Sequence, residues 1–449
     1  MATFYPSRKL IVSAALVMIL SSLLYPFVQH WGGGLLLVVV GGLIWVVWDV
    51  IGSIHSLDGV TLGDPSRLHL SRHRSGLLSF TLCFPSSQVQ TYRVGVAFPD
   101  LLECDQPELT LTTSEGEPSY RAELKFRAIK RGGSAIRTIS IETASKLGYW
   151  RIQSRVAVDW DVQVYPDVIA ERRQLTGLLV RQGMLGIHSV RQLGKGKDFE
   201  KLREYVPGDD YQDIHWKASA KRNRPVTKIF QLERTQDIYV ILDASRLSGR
   251  RCPNSGSGNK EESYLEKNLA IALLLAQVAE QQGDRFGFIT YSDRATHFLR
   301  ASTGRAHFSA CRDTLNRIQS TTATPDFKEL FTSIRSRLNR RSLMIFLISL
   351  DDVLLMETFM ENVDLIRSRH VVVVAGLRPE HCQPLFSNQN VQSKDEIIEE
   401  LAGHEQWESW ALLRRQLRIR GVDLILAGSD RLGFETVNQY ISIKRRQIL

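Results

Sequence analysis

The 449-residue sequence has only five cysteines (Cys83, Cys104, Cys252, Cys311 and Cys382), and no two of them stand in a C-x-x-C spacing. An odd, scattered set argues against a disulfide framework and a cysteine-based zinc site, and it suits a reducing compartment. Also missing are G-x-x-x-x-G-K-[ST], G-x-S-x-G and H-E-x-x-H. A kinase, ATPase or hydrolase reading therefore has no phosphate loop, nucleophile elbow or zinc helix to stand on. Repeats are absent, and the one low-complexity stretch is the insert "CPNSGSGNKEES" at 252–263. Charge of one sign is not concentrated either. The 57 Lys and Arg leave a net +9 against 48 Asp and Glu, with the two signs interspersed. That balance admits nucleic acid or anionic lipid as partners and favours neither.

Long hydrophobic runs are present, and both lie at the start. Leu10 to Val28, "LIVSAALVMILSSLLYPFV", carries no charge, nor does Gly32 to Trp48, "GGGLLLVVVGGLIWVVW". Each has about the length needed to cross roughly 30 Å of hydrocarbon as a helix. Tyr25, Trp31, Trp45 and Trp48 sit near the run ends, where amphipathic rings favour the headgroup zone. The expectation is a transmembrane hairpin over residues 1–56, with spans at about 10–28 and 32–52. Arg8 and Lys9 ahead of the first run place the N-terminus, and hence the large C-terminal part, on the cytoplasmic side of the cell (inner) membrane.

The next stretch, 57–166, reads as β-structure. "LLSFTLCF", "TYRVGVAF", "YRAELKFRA" and "AIRTISIET" are short, often alternating runs parted by Pro, Gly, Ser and Asp turns. That spacing predicts a small antiparallel sandwich. Residues 167–235 read as a helical start, a Gly/Lys-rich linker and a dense polar segment. From 236 to 449 nearly continuous apolar strands ("YVIL", "MIFLIS", "VVVVAGL") alternate with amphipathic helices. That grammar means a doubly wound, mostly parallel α/β sheet covered on both faces.

Such sheets place their sites beyond the carboxyl ends of the strands. Asp243 follows "YVIL", and Asp351 with Asp352 follows "FLIS". Oxygen ligands at neighbouring strand tips suit a hard cation such as Mg²⁺. The block resembles a von Willebrand factor A domain, a Rossmann-type fold whose metal-ion-dependent adhesion site uses D-x-S-x-S, a distant Thr and a distant Asp. The resemblance implies Mg²⁺ held by Asp243, Ser245, Thr303 and Asp351. Leu247 stands in the third position of the motif, and Ser248 falls one residue late.

A second resemblance spans more of the chain. "LGKGKDFEKLREYVPGDDYQDIHWKASAKRNRPVTKIFQLERTQDIYVILDASR" is similar to the bacterial membrane protein family called "domain of unknown function 58". Arg203, Tyr205, Pro207, Gly208, Asp209, Ile214, Trp216, Ala218, Ser219 and Ala220 match its pattern. Gln212 stands where Arg is common, and His215 where Asp is common. Two apolar runs and a β-rich middle also fit that family's layout. The resemblance implies a partnership with MoxR-type AAA+ ATPases and an accessory, non-catalytic role.

By physical reading, "GDDYQDIHWKASAKRNRP" predicts one helix with Asp209 as N-cap and Gln212 completing a capping box. Tyr211, Ile214 and Ala218 would share its core face, Asp213 and Lys217 would pair at i,i+4, and Asn223 with Pro225 would end it. Asp213 and His215 diverge on such a helix, which disfavours a catalytic pair. Lys217, Lys221, Arg222, Arg224 and Lys228, interleaved with Trp216 and Tyr211, could meet nucleic acid, but anionic lipid explains the same charges. The expected function is a membrane-anchored adaptor. It would dock a partner at the Asp243 rim, with Arg203, Tyr205, Pro207, Gly208, Asp209, Asp213, His215, Trp216 and Lys217 as a signature docking or buttressing segment. The alternatives are a Mg²⁺-dependent hydrolase using Asp243, Asp351 and Asp352, and a cell-envelope scaffold that binds no ATPase.

Overall fold

The computed structural model describes residues 3–446 apart from 25–31, 58, 65, 85–89, 114–118, 169–170, 174–192, 208, 232–234, 253–261, 350–351, 379–381, 386 and 388–392. The chain divides into two compact units, Met1–Asp167 and Val168–Leu449.

The first unit is built on two sheets. One orders Thr3–Pro6, Trp150–Tyr165, Gly132–Ala144, Thr91–Val96 and Glu108–Thr112, with Arg67–Ser71 parallel to Trp150–Tyr165. The other orders Thr61–Gly63, Ser75–Cys83, Ser119–Ala128 and Leu102–Glu103. Alternation makes the core: Leu78, Phe80 and Leu82 from one strand and Ala122, Leu124 and Phe126 from its partner are all buried. Phe80 meets Trp160 of the other sheet at 5.5 Å between ring centroids. The sandwich also recruits Thr3–Pro6, upstream of both apolar runs.

Helices form where those runs stand, at Arg8–Leu24 and Gly32–Ser53. Among the described residues no helix is long and apolar enough to cross a membrane. The first has 17 residues, and 25–28, the expected end of that run, lie outside the described set. The tail of the second helix is tied to the sandwich through its one acid. Ser145 Oγ donates to Asp49 at 2.5 Å and the Leu147 amide at 3.0 Å. The Trp150 indole also donates to the Val46 carbonyl at 3.2 Å, while Leu16, Met18, Leu43 and Trp48 are exposed.

The second unit is centred on a six-stranded sheet. Its strands are β1 (Asp237–Asp243), β2 (Arg285–Tyr291), β3 (Ala295–Ser302), β4 (Leu343–Leu347), β5 (Val371–Leu377) and β6 (Asp423–Ala427). They lie in the order β3-β2-β1-β4-β5-β6, all parallel except β3. This is the doubly wound arrangement, with the reversal of strand order between β1 and β4. Helices α1 (Tyr264–Gln281), α2 (Arg305–Arg317), α3 (Phe327–Arg337), α4 (Val353–Asn362), α5 (Lys394–Ile419) and α6 (Leu432–Arg445) accompany it. Three of them open with a Ser or Asp cap three residues before a Glu: Ser263 on Glu266, Asp326 on Glu329 and Ser393 on Glu396. Side chains alternate between two cores. Val240 and Leu242 pack with Leu269 and Tyr440 on one face, and Tyr239 and Ile241 with Phe331 and Trp410 on the other.

The Gly/Lys-rich "LGKGKDFEKLRE" is not a linker. It is a strand, Leu193–Glu204, paired antiparallel with Val226–Gln231. The insert's residues 253–261 and most of the expected helix after Asp167 lie outside the described residues.

Candidate functional site

β1 ends at the switch point, so the loop after it begins on the sheet's carboxyl rim. Asp243 is buried there, and its Oδ1 accepts the Ser245 amide at 2.7 Å. Burial pushes its carboxyl above the ordinary carboxylate range, while the hydrogen bonds from Ser245 oppose that shift. The loop then closes on itself. Ser245 Oγ accepts the Leu247 amide at 3.3 Å, and Ser248 Oγ donates to the Ser245 carbonyl at 2.8 Å. Leu247, in the third motif position, is 2% exposed and faces the interior.

Thr303 does not join them. β3 runs antiparallel, with Ser302 opposite Phe286 near the start of β2. Thr303 therefore sits at the sheet's amino end, near Asp284 and His307. Seven residues of β2 put it roughly 20 Å from the rim. The threonine that does reach the rim is Thr321, in the α2–α3 connection. Its amide and hydroxyl both donate to the Ala244 carbonyl, at 2.8 and 3.1 Å. Asp351 lies outside the described residues. Its neighbour Asp352 caps α4 and faces Arg246 at 3.9 Å. A guanidinium thus spans the switch point, where the sequence reading expected a cation from outside.

Tyr291 was also missed. It is fully buried in register with Asp243, and its hydroxyl has no hydrogen-bond partner among the described residues. Burial first, and then the Asp243 charge, holds the phenol neutral.

A Mg²⁺ site demands about six oxygen ligands. Of the four expected, Asp243 and Ser245 share the rim and Thr303 lies at the far edge. The hydroxyl of Ser248 is spent on the backbone. Among the described residues no cluster of three or more His, Cys, Asp or Glu could hold a metal. The described donors do not fit the ion, and no step below runs through it.

The signature segment differs from the single helix expected. Tyr211–Asp213 is a 3-10 turn capped by Asp210, and a separate helix, Trp216–Arg222, is capped by His215, whose Nδ1 accepts the Ala218 amide at 3.1 Å. The break has a cause: Ile214 is buried and bridges Thr227, and the His215 amide donates to the Val226 carbonyl at 2.8 Å. That bridging holds 214 extended and splits the expected core stripe, leaving Tyr211 outside. Asp209 is not a helix cap. It pairs with Arg203 at 2.5 Å and accepts from the Val206 amide at 3.1 Å. Asp213 and Lys217 fall on separate elements, so the i,i+4 pair does not form. Asn223 ends the helix with φ 52° as expected. Tyr205 stacks on Tyr211 at 6.1 Å, Pro207 is exposed, and Gly208 lies outside the described residues. Trp216 is 70% exposed and Tyr211 74%.

Residues 201–386 match the family described as "Protein of unknown function DUF58". Among curated proteins, "Uncharacterized protein YeaD" of Bacillus subtilis (strain 168) is 24% identical over 125 residues, 28% of this chain and 31% of that relative's length. The alignment therefore spans less than a third of that relative. Among solved structures, an aerotolerance-related membrane protein from Bacteroides fragilis is 14% identical, with a TM-score of 0.30, over 46% of this chain and 98% of that one. BatB, a conserved hypothetical protein from Bacteroides thetaiotaomicron, is 12% identical, with a TM-score of 0.29, over 47% and 99%. Proximal thread matrix protein 1 from the mussel byssus, solved with a zinc-occupied MIDAS motif, is 15% identical, with a TM-score of 0.25, over 46% of each chain.

Proposed function

We propose that this chain, with the DUF58 pattern over residues 201–386, is a membrane-anchored protein-interaction adaptor that docks a MoxR-type AAA+ ATPase. The observation that carries the docking is Trp216. A tryptophan left 70% exposed forgoes the burial its ring would otherwise gain, and such anchors dominate protein interfaces. The turn beneath it is internally satisfied: Ser219 Oγ donates to the His215 carbonyl at 3.0 Å and accepts the Val226 amide at 2.9 Å. Trp216 and Tyr211 are thus presented on a pre-set frame, beside exposed Lys217, Lys221 and Arg222.

The rim supplies a second contact without a metal. Arg246 offers a guanidinium to a partner carboxylate, the group that would otherwise complete a cation's coordination sphere. The bare apolar flanks of Arg8–Leu24 and Gly32–Ser53 support the anchor, and Arg8 and Lys9 support a cytoplasmic second unit.

The test is capture of the ATPase by the full chain in detergent. Trp216→Ala lowers capture at least about tenfold, as loss of a central aromatic does, with thermal unfolding unchanged because the side chain is exposed. Arg246→Ala lowers it further. Undiminished capture by stably folded Trp216→Ala rejects the signature turn as a docking determinant.

A further inference from the structure

Helix α5 is amphipathic in a way its own domain does not use. It has 26 residues, about 39 Å of helix. One face, with Trp410, Leu413 and Leu417, is buried in the core. On the other, Ile397, Leu401, Leu412 and Ile419 are all exposed, Ile419 at 78%. At 100° per residue these four lie within about 60° of one another. Single exposed apolar residues are ordinary. Four within one strip along a helix, interrupted there by exposed Glu408 and Arg415, form a mixed apolar and charged seam with no cover among the described residues.

Charge indicates what covers it. Five glutamates occupy 396–408, and three arginines occupy 414–418. The helix dipole accounts for such a bias only in the first and last turns. Glu405, Glu408, Arg414 and Arg415 lie between those two turns; Glu408 and Arg415 fall within the strip of exposed apolar residues and Glu405 at its edge. An acidic half followed by a basic half is self-complementary when two copies run antiparallel. In a parallel pair it would set like charges against each other.

We propose that α5 is the contact between two copies of this chain, paired antiparallel about a two-fold axis near position 410. This isologous geometry sets Leu401 against Ile419 of the second copy, and Glu405 against Arg415 of the second copy, twice over. It uses neither Trp216 nor the rim, so it stands or falls apart from ATPase docking.

The experiment uses the full chain in detergent, with sedimentation equilibrium as readout. Glu405→Arg weakens self-association at least about tenfold, and so does Arg415→Glu. The double variant carrying both restores it, because the pair is merely exchanged. Both positions are solvent-facing, so circular dichroism stays that of the parent. In a mixture, Leu401→Cys and Ile419→Cys chains form an intermolecular disulfide under mild oxidation, whereas Leu401→Cys alone does not. A wild-type chain that stays monomeric at every concentration overturns the proposal. So does a double variant that fails to recover association, or a disulfide formed by Leu401→Cys alone, which would mean a parallel pair.

Discussion

Asp243 and Tyr291 end adjacent parallel strands in direct register, and both are buried at the same rim. The Ala244 amide donates to the Tyr291 carbonyl at 2.8 Å, fixing the two strand ends together. Only the acid is satisfied: Asp243 accepts from Ser245, while the Tyr291 hydroxyl has no partner among the described residues. A buried unpaired hydroxyl costs about 1–3 kcal/mol. Tyr291→Phe is therefore expected to raise the unfolding free energy by about that amount in denaturant titration. A loss of stability instead would show that the hydroxyl is satisfied in solution.

Asp243 itself is held at a cost. Its folded pKa is raised by burial, so between the unfolded carboxylate value and the raised one the folded state holds the proton more tightly. The linked stability is present below the unfolded pKa and is lost as pH rises through the folded one. Asp243→Asn keeps an acceptor for the Ser245 amide and removes the charge. At pH 7 it is expected to unfold no lower, and by thermal scan higher, than the parent. At pH 3, where the parent's carboxyl is protonated, the advantage shrinks. An equal effect at both values would mean that the charge is not what burial penalises.

How much of this was legible in the sequence depends on what each residue answers to. "YVIL", "MIFL" and "VVVVAG" announced a sheet buried on both faces because nothing polar interrupts them, and the sheet is there. The Thr303 expectation failed over one connection. Only Ser292, Asp293 and Arg294 separate β2 from β3, too few for a parallel crossover, which takes a dozen or more residues. The reversal that carries Thr303 to the far edge was thus written in a loop length. The split of the signature helix was less visible. Asp209 and Gln212 have helix-start chemistry, but Ile214 answers to Thr227, a tertiary pairing that overrides the local preference. Arg246 facing Asp352 had no sequence signal at all, since more than a hundred residues separate partners that only the strand order brings together.

The charged pair of Glu171 and Lys267 joins the segment after the first unit to α1, with both side chains 5% exposed. Glu171 also lies against Gly433 of α6, where a Cβ would fall 2.6 Å from its Oε2. Removing one partner leaves a buried charge uncompensated, which costs about 3–5 kcal/mol. Glu171→Ala is expected to destabilise the second unit by that amount. Exchanging both partners together, Glu171→Leu with Lys267→Met, is expected to restore most of it, because the interior then buries no charge. The denaturant midpoint of the second unit's transition measures both. A double variant as weak as Glu171→Ala would show that the pair matters for its shape and not for its charge.

His370 sits just before β5, buried, with Nδ1 2.9 Å from Ser342 Oγ. Burial, and then the neighbouring Arg369 charge, lowers its pKa from 6.5 to about 4. Above pH 6.5 the imidazole is neutral in both folded and unfolded chains and contributes no pH dependence. Between about 6.5 and 4 the unfolded chain takes up a proton that the folded one refuses, so stability falls as the pH is lowered through that window. The total loss is at most about 3 kcal/mol. His370→Gln keeps a polar partner for Ser342 and cannot titrate, so the difference in unfolding free energy between parent and variant should be flat above pH 6.5. Below that, it should move steadily in the variant's favour down to about pH 4. A difference that does not change with pH would mean that His370 accepts its proton in the folded state as readily as in the unfolded one.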